Sequence, residues 1–356
     1  MTEVLLEELL DSDINWMIQR GQRRQFSARQ SLIQQGQTVD AFYVVLEGSL
    51  AAAVADDLAI DPALGQTLIR FSVGDVVGET GFLRAVPSSI AIQALEDSSV
   101  LELPYAQMQT RLSQDLAFAS RFYRAIAILL FKRYEQVLDK FSRRRGLQAS
   151  LLQDGPMFFG ELHDGDVDWM VEQGVVEEAR TDQILIHAGR AVEKLYVVLY
   201  GELTIAVLDQ KRSDLNEIFS QVREVSEPTG RQIARVGKGE LVGETALLNS
   251  HLSNFMVKAR EPSLLLALPR PQLALKLRQD PAMGSRFYRV LAILMAHRLD
   301  GLIDRLSYRS LTYDAAQPLS SDMQYDNELD FDAIDRLDIG GARFDWMLKR
   351  LKVRGA

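Results

Sequence analysis

The chain contains no cysteine, which excludes disulfides, thiolate zinc sites and cysteine catalysis. Histidine is almost as scarce. His163, His187, His251 and His297 stand far apart with no paired spacing, leaving little material for a zinc or iron site or a catalytic triad. Long hydrophobic runs are missing too: the longest uncharged apolar stretches, Ala125 to Phe131 and Val290 to Ala296, are seven residues each, against the roughly 20 that a spanning helix needs. No membrane span is therefore expected. The opening MTEVLLEELLDSD has no basic leader before an apolar core, so no secretory signal is read there and a cytoplasmic location is expected. With 40 basic against 49 acidic residues, the net charge of −9 gives no overall attraction to a polyanion. What is present, 47% apolar and 25% charged residues over 356 positions, is the composition of a globular protein of about two domains.

A duplication organises the chain. Asp13 to Met17 (DINWM) recurs as Asp166 to Met170 (DVDWM), Gly36 recurs as Gly189, and YVVLEGSL from Tyr43 recurs as YVVLYGEL from Tyr196, all offset by 153 residues. Further on, VGETGFL from Val77 answers VGETALL from Val242, and RFYRAIAILL from Arg121 answers RFYRVLAILM from Arg286, now offset by 165. The second copy thus carries twelve extra residues, which fall in the polar stretch Asp209 to Arg231 and predict an enlarged surface loop.

Within each copy the middle reads as strands. In the first, Ser31 to Gln34, Phe42 to Leu46, Ser49 to Val54, Thr67 to Phe71 and Ile90 to Leu95 are short, rich in β-branched and aromatic residues, and punctuated by Gly36, Gly48 and Gly74. Such spacing predicts a small sandwich or barrel. After Pro104 the period changes to three or four, through Leu116, Ala119, Phe122, Ile126, Leu130, Tyr134 and Val137, and predicts one long amphipathic helix. Pro269 and the residues from Met283 to Leu306 repeat the arrangement. The expected segments are a first domain over 1–145, a second over 146–309 and a tail over 310–356. The linker from Ser142 to Gly165 holds the basic triplet Arg143 to Arg145 and a turn at Asp154-Gly155-Pro156. The tail has eight acidic residues and one basic from Asp314 to Asp338, then five basic and one acidic from Arg343 to Arg354. Partial disorder is expected of so polarised a segment. Its Trp346-Met347 pair echoes Trp16-Met17 and Trp169-Met170, which points either to a docking helix or to chance similarity or a remnant.

One motif carries a ligand hypothesis. In both copies a glycine turn leads into Gly-Glu-Thr and a short apolar helix, at Gly78-Glu79-Thr80 and Gly243-Glu244-Thr245. The glycines let backbone approach a ligand, and the amides of the following turn favour an anion. With these residues in place the chain resembles the cyclic nucleotide-binding domain family, over about residues 10 to 140 and 163 to 305. The resemblance implies an α+β fold. It consists of two β-rolls (double-stranded β-helix, jelly-roll-like) in tandem, each with an N-terminal helix and a long closing helix. It further implies that Glu79 and Glu244 bind a ribose hydroxyl, while Gly78, Thr80, Gly243 and Thr245 line the phosphate site. The alternative for each glutamate is that it only caps a helix start.

Where the family places its phosphate-binding arginine, this chain has Ser88 and Ser253. A hydroxyl donates one neutral hydrogen bond where a guanidinium offers a charged bidentate pair. Pro87-Ser88-Ser89 still offers two hydroxyls, whereas Leu252-Ser253-Asn254 has lost the proline. The candidate ligand-binding residues are thus Gly78, Glu79, Thr80, Ser88 and Ser89 in the first copy, and Gly243, Glu244, Thr245, Ser253 and Asn254 in the second. Arg121 and Arg124, matched by Arg286 and Arg289, either replace the missing arginine or lie solvated beside an aromatic stripe.

Two readings stay open. One is a small-molecule sensor that binds cAMP, cGMP or a similar small anionic nucleotide and passes a helix movement to a protein partner. The other is an interaction scaffold with vestigial pockets, assembling through its helices and tail, with a homo-oligomer expected. The residues supply no nucleophile–base pair, metal ligands or Walker-type loop, so no enzyme, catalytic residue, metal or obligate cofactor is expected. DNA binding is not expected either, because the segment after Leu306 is acidic and lacks the periodicity of a helix-turn-helix.

Overall fold

The computed structural model describes residues 3–53, 68–142, 150–152, 155–207, 231–248, 253–310 and 331–353. The expected loop over Asp209 to Arg231 lies outside these residues except for Arg231, and so do the Arg143 to Arg145 triplet and the stretch of the tail up to residue 330. The chain separates into two compact units, one of residues 1–139 with 284–328 and one of 140–283 with 329–356.

The first unit holds two four-stranded antiparallel sheets. One runs β1 (Gln22–Phe26), β8 (Ser98–Pro104), β3 (Ala41–Glu47), β6 (Val76–Val77); the other runs β2 (Ser31–Ile33), β7 (Ala91–Ala94), β4 (Leu50–Ala53), β5 (Ile69–Phe71). The expected strands are found within a residue or two of their predicted ends. Three more strands, β1, β6 and β8, complete the roll. The first of them, QRRQF, is exposed along nearly its whole length and carries no hydrophobic alternation, so only its register from Gln22↔Glu102 to Phe26↔Ser98 makes it a strand. Leu50, Ala52, Val100 and Leu103 are buried in the roll. Their burial, at about 25 cal/mol per Å² of apolar surface, is what holds strands so short together.

The stretch after Pro104 is two helices rather than the expected one. Tyr105–Gln114 ends at Asp115, whose backbone leaves the helical region, and Leu116–Ser142 follows. Asp115 Oδ1 accepts the Phe118 N–H at 2.9 Å, so the aspartate that breaks the first helix caps the second. The second copy repeats the device: Arg270–Gln279 is followed by Pro281–Ser310, and Asp280 Oδ1 accepts the Met283 N–H at 3.0 Å. The two seven-residue apolar runs, Ala125 to Phe131 and Val290 to Ala296, are buried at every position. A helix apolar on all sides needs burial on all sides, so these segments are central elements rather than stripes on a surface. Both lie in the first unit, where the Arg124 guanidinium of one helix sits 5.9 Å from the Tyr288 ring of the other.

The second unit repeats the roll. β10 (Val175–Ala179), β17 (Ser263–Pro269), β12 (Lys194–Tyr200) and β15 (Leu241–Val242) form one sheet. The other is β11 (Ile184–Ile186), β16 (Phe255–Ala259), β13 (Leu203–Val207), β14 (Arg231–Val236) and β9 (Ser150–Leu152). Val198, Leu203, Val236, Val257 and Leu265 from both sheets make one apolar core. The parallel edge strand β9 comes from the linker. Gly155-Pro156, expected as a turn, instead opens the helix Gly155–Glu161, where a proline in the first turn removes no helical hydrogen bond.

The helix Phe331–Arg350 of the tail packs on this helix and on Asp164–Gln173. Phe344 lies 5.2 Å from Phe159 between ring centroids, and Arg343 bonds Asp164 Oδ1 at 2.7 Å while donating to the Phe159 and Gly160 carbonyls. Met17, Met170 and Met347 are all buried, whereas Trp346 is 40% exposed. In each Trp-Met pair the methionine is the plug. Among the described residues no helix is long and apolar enough to cross a membrane.

Candidate functional site

Each cassette begins at a glycine that no other residue replaces without strain. Gly78 has φ +92° and a Cβ there would lie 2.5 Å from the Ala41 carbonyl oxygen; Gly243 has φ +89° and would meet the Lys194 carbonyl oxygen at 2.5 Å. The left-handed backbone and the close approach to β3 and β12 explain why the motif starts with glycine in both copies. In the first copy Gly78 leads into the helix Glu79–Arg84. Phe82 of that helix packs 4.6 Å from Phe42 and 5.2 Å from Tyr105, and Phe42 lies 5.4 Å from Phe122 of the closing helix. The Tyr105 hydroxyl donates to the Gly78 carbonyl. Roll, cassette, short helix and closing helix thus meet in one aromatic cluster.

Glu79 is 5% exposed. Its Oε1 pairs with Nη1 of Arg133, a residue of Leu116–Ser142 that is itself 1% exposed. Arg133 also donates from Nη2 to the Val76 carbonyl and lies 4.9 Å from the Phe71 ring. The other carboxylate oxygen, Glu79 Oε2, is buried with no hydrogen-bond partner among the described residues. Burial pushes the Glu79 carboxyl above its ordinary range by more than Arg133 draws it down, and Asp300 and Asp75 add smaller upward pushes. Glu79 is thus more than a helix cap: it is one half of a buried ion pair with an acceptor to spare.

Gly78, Glu79, Thr80, Ser88 and Ser89 line one cavity, together with Arg133. All five candidates of the first copy are therefore brought together. Ser88 Oγ donates to the Ile90 carbonyl at 2.8 Å, so its hydroxyl serves its own strand. Ser89 Oγ donates to Asp300 Oδ1 at 3.0 Å, and Asp300 Oδ2 is paired with Arg84 of the cassette helix. Asp300 belongs to Pro281–Ser310, which also supplies Leu299 and Ile303 to the wall. The cavity they leave is about 40 Å³. That holds a few waters at most, whereas pockets for drug-sized ligands run to roughly 300 Å³ or more.

In the second copy Glu244 is 8% exposed and Ser253 5%. Ser253 repeats the backbone bonds of Ser88: Gly189 N–H donates to the Ser253 carbonyl as Gly36 N–H does to that of Ser88, each at 2.8 Å. The cassette helix is shorter, Thr245–Leu248, and Asn254 is exposed. Ser253 Oγ donates to the Phe255 carbonyl and accepts the Phe255 N–H.

The arginine that reaches the first cassette is neither Arg121 nor Arg124. Arg121 pairs at 2.9 Å with Asp13, which is 1% exposed, and Arg124 pairs with Glu8, so both tie the closing helix to the N-terminal helices Glu3–Glu8 and Asp11–Arg20. Arg133 and Asp300 do not follow from the motif. A signal for Arg133 exists in its repetition as Arg298 at the same offset of 165, each two residues beyond the seven-residue apolar run of its helix. Among the described residues no group of three or more histidines, aspartates or glutamates is placed to hold a metal.

A two-sheet roll and a left-handed glycine opening a Gly-Glu-Thr cassette are present twice, and in the first unit a long closing helix is set against that cassette through Arg133. The model of the cyclic nucleotide-binding domain matches residues 23–115 and 176–280, more than half of the chain, and the protein belongs to that family. Domains of this family bind cAMP- or cGMP-like ligands and are generally not catalytic, which supports a regulatory, ligand-sensing role. Among solved structures, the chain is similar to the regulatory subunit of a cAMP-independent protein kinase A from Trypanosoma brucei, at 16% identity over 87% of this chain and 91% of that one, with a TM-score of 0.28. It is similar as well to the regulatory domain of Toxoplasma gondii PKA crystallised with cAMP, at 16% identity over 86% and 92%, TM-score 0.25. A third is the catabolite activator protein of Thermus thermophilus, at 20% identity over 50% and 76%, TM-score 0.32. No curated protein matches the chain in sequence.

Proposed function

We propose that the protein is a non-enzymatic ligand-sensing or regulatory protein whose tandem cyclic-nucleotide-type pockets have altered or weakened specificity, the first pocket being the working one. The observation that carries this reading is Glu79 Oε2, a buried acceptor on the wall of a cavity with no partner among the described residues. Leaving such a group unsatisfied costs about 1–3 kcal/mol, and a ribose hydroxyl donating to it removes that cost. Gly78, Thr80, Ser88 and Ser89 complete the proposed first site, and Gly243, Glu244, Thr245, Ser253 and Asn254 a lesser second one. With serine where the family resemblance places arginine, the hold on a phosphate is weakened. We infer repeat units over 1–145 and 146–309 with a tail from 310, and action in the cytoplasm as a homo-oligomer, through a protein partner and without DNA. A second reading, a scaffold with vestigial pockets, is favoured by the small volume of the cavity.

A thermal-shift screen with cyclic mononucleotides and dinucleotides separates the two. A ligand that binds only the folded chain raises the melting temperature by mass action, with the logarithm of its concentration relative to Kd, and Glu79→Gln should then lower its affinity about tenfold, the equivalent of one hydrogen bond. If no nucleotide shifts the melting temperature, the scaffold reading stands.

Ser88→Arg should strengthen cAMP binding to the first pocket by roughly thirtyfold or more, the usual gain from a charged partner for a buried phosphate. Ser253→Arg should do less, because Ser253 is buried and the substitution removes a hydroxyl that both donates to the Phe255 carbonyl and accepts the Phe255 N–H. Calorimetry on the wild type and both variants measures the order; equal or absent gains would refute it.

A further inference from the structure

We propose that Arg84 and Ser89 form an anion-binding subsite of the first pocket, and that the chain occupies it with its own Asp300 carboxylate. A phosphate-bearing ligand then competes with Asp300 for these two donors. The proposal rests on reading the first pocket as a ligand site and adds the group against which the ligand works.

Both oxygens of Asp300 are engaged from the cassette side. Ser89 Oγ donates to Oδ1 at 3.0 Å and the Arg84 guanidinium is paired with Oδ2. A guanidinium and a hydroxyl converging on two oxygens of one anion is the donor set that recognises a phosphate, and a carboxylate presents the same charge to it. The pair is largely shielded from solvent, with the Arg84 and Asp300 side chains 21% and 13% exposed. Arg84 lies four residues before Ser88, at the end of Glu79–Arg84 and one helical turn beyond Thr80, so the cassette supplies a guanidinium from a different position.

Asp300 does not come alone. Leu299 and Ile303 of the same helix form the wall beside it and reduce the cavity to about 40 Å³. A phosphate cannot enter beside the carboxylate, for lack of room and because two anions in a shielded site repel. Binding therefore requires residues 299–303 to withdraw, which couples occupancy of the pocket to movement of Pro281–Ser310. Glu79 Oε2, without a partner among the described residues, remains available to the neutral part of the ligand. Apparent affinity in such a system equals the intrinsic affinity reduced by the fraction of molecules in which the plug is already out.

The test uses the full chain and two probes, cAMP and inorganic phosphate, measured by calorimetry. Asp300→Asn keeps the shape of the plug and removes its charge; it should bind cAMP at least about tenfold tighter than the wild type, corresponding to a plug in place in about nine molecules of ten. Phosphate should follow the same order, and the gain should vanish in Asp300→Asn/Arg84→Gln. Asp300→Ala, which leaves no side-chain pairing group at that position, should reproduce the gain if Asp300→Asn folds poorly. Unchanged affinity for both probes in both Asp300 variants, or a gain that survives loss of Arg84, would overturn the proposal. Glu79-dependent cAMP binding that ignores Asp300 would overturn it while leaving the pocket reading intact. Arg84-dependent phosphate binding in Asp300→Asn without binding of any nucleotide would support the subsite and remove the pocket reading.

Discussion

Arg133→Met should destabilise the first unit by about 3–5 kcal/mol at pH 8, the usual cost of leaving one member of a buried ion pair without its partner. Glu79 is the group left behind, 5% exposed and with one oxygen already unpaired. Its escape is to take a proton, and this makes the loss depend on pH. Burial already raises the Glu79 carboxyl above its ordinary 4.5, so the folded chain holds this proton more tightly than the unfolded chain. The Glu79 contribution is accordingly fully present below about pH 4.5 and is lost as pH rises through the folded value. Without Arg133, the strongest downward influence is gone, the folded value rises further, and the loss extends to higher pH. The penalty of Arg133→Met should therefore shrink as pH falls toward 5. Adding Glu79→Gln should restore most of the stability at pH 8, short of the bond from Arg133 to the Val76 carbonyl. Urea unfolding at several pH values checks this through Trp16, which packs 5.9 Å from Phe118, in a background with the other two tryptophans replaced. A loss below about 1 kcal/mol that does not vary with pH would show that the pair is not closed in solution.

Gly340→Ala should detach the tail helix from the second unit, and Gly341→Ala next to it should do the opposite. A Cβ on Gly340 would lie 1.8 Å from the Pro156 carbonyl oxygen and 2.8 Å from the Gly160 amide nitrogen. On the facing helix, a Cβ on Gly160 would lie 2.3 Å from the Arg336 carbonyl oxygen. The obstacles are backbone atoms, which cannot rotate away as side chains do, so the two helices must part. Overpacking of this kind costs about 1–3 kcal/mol, set against contacts that include the Phe159–Phe344 ring pair and the Arg343 bonds. At Gly341 no described residue lies within 4 Å of the added methyl group, and alanine in place of glycine inside a helix stabilises by about 0.5–1 kcal/mol. Hydrogen exchange over 331–353 reads both: faster in Gly340→Ala, slower in Gly341→Ala. The same direction in both variants would mean that close backbone packing does not hold the helix.

The cassettes show how far pattern alone reaches. Gly-Glu-Thr at equivalent places in two copies was enough to mark Gly78 and Glu79, because a left-handed turn and a buried acid leave a trace in residue type wherever they recur. The break at Asp115 and Asp280 was less visible, since a capping aspartate interrupts the backbone without interrupting the apolar spacing on either side. The tail helix was signalled only by its Trp-Met pair, while the glycines that seat it read in sequence as poor helix formers.

The repeat, the order of strands and helices and the positions of both cassettes were determined by the sequence itself, because each depends on neighbours within a few residues or on repetition at a fixed offset. Which arginine meets Glu79, and which acid fills the space beside Ser89, was decided by the tertiary structure. Arg133 lies 54 residues from its partner and Asp300 lies 211 from Ser89, and no local period records such pairings. They exist because burial removes water from these charges, and a charge without water must take the nearest opposite charge or donor that packing brings to it.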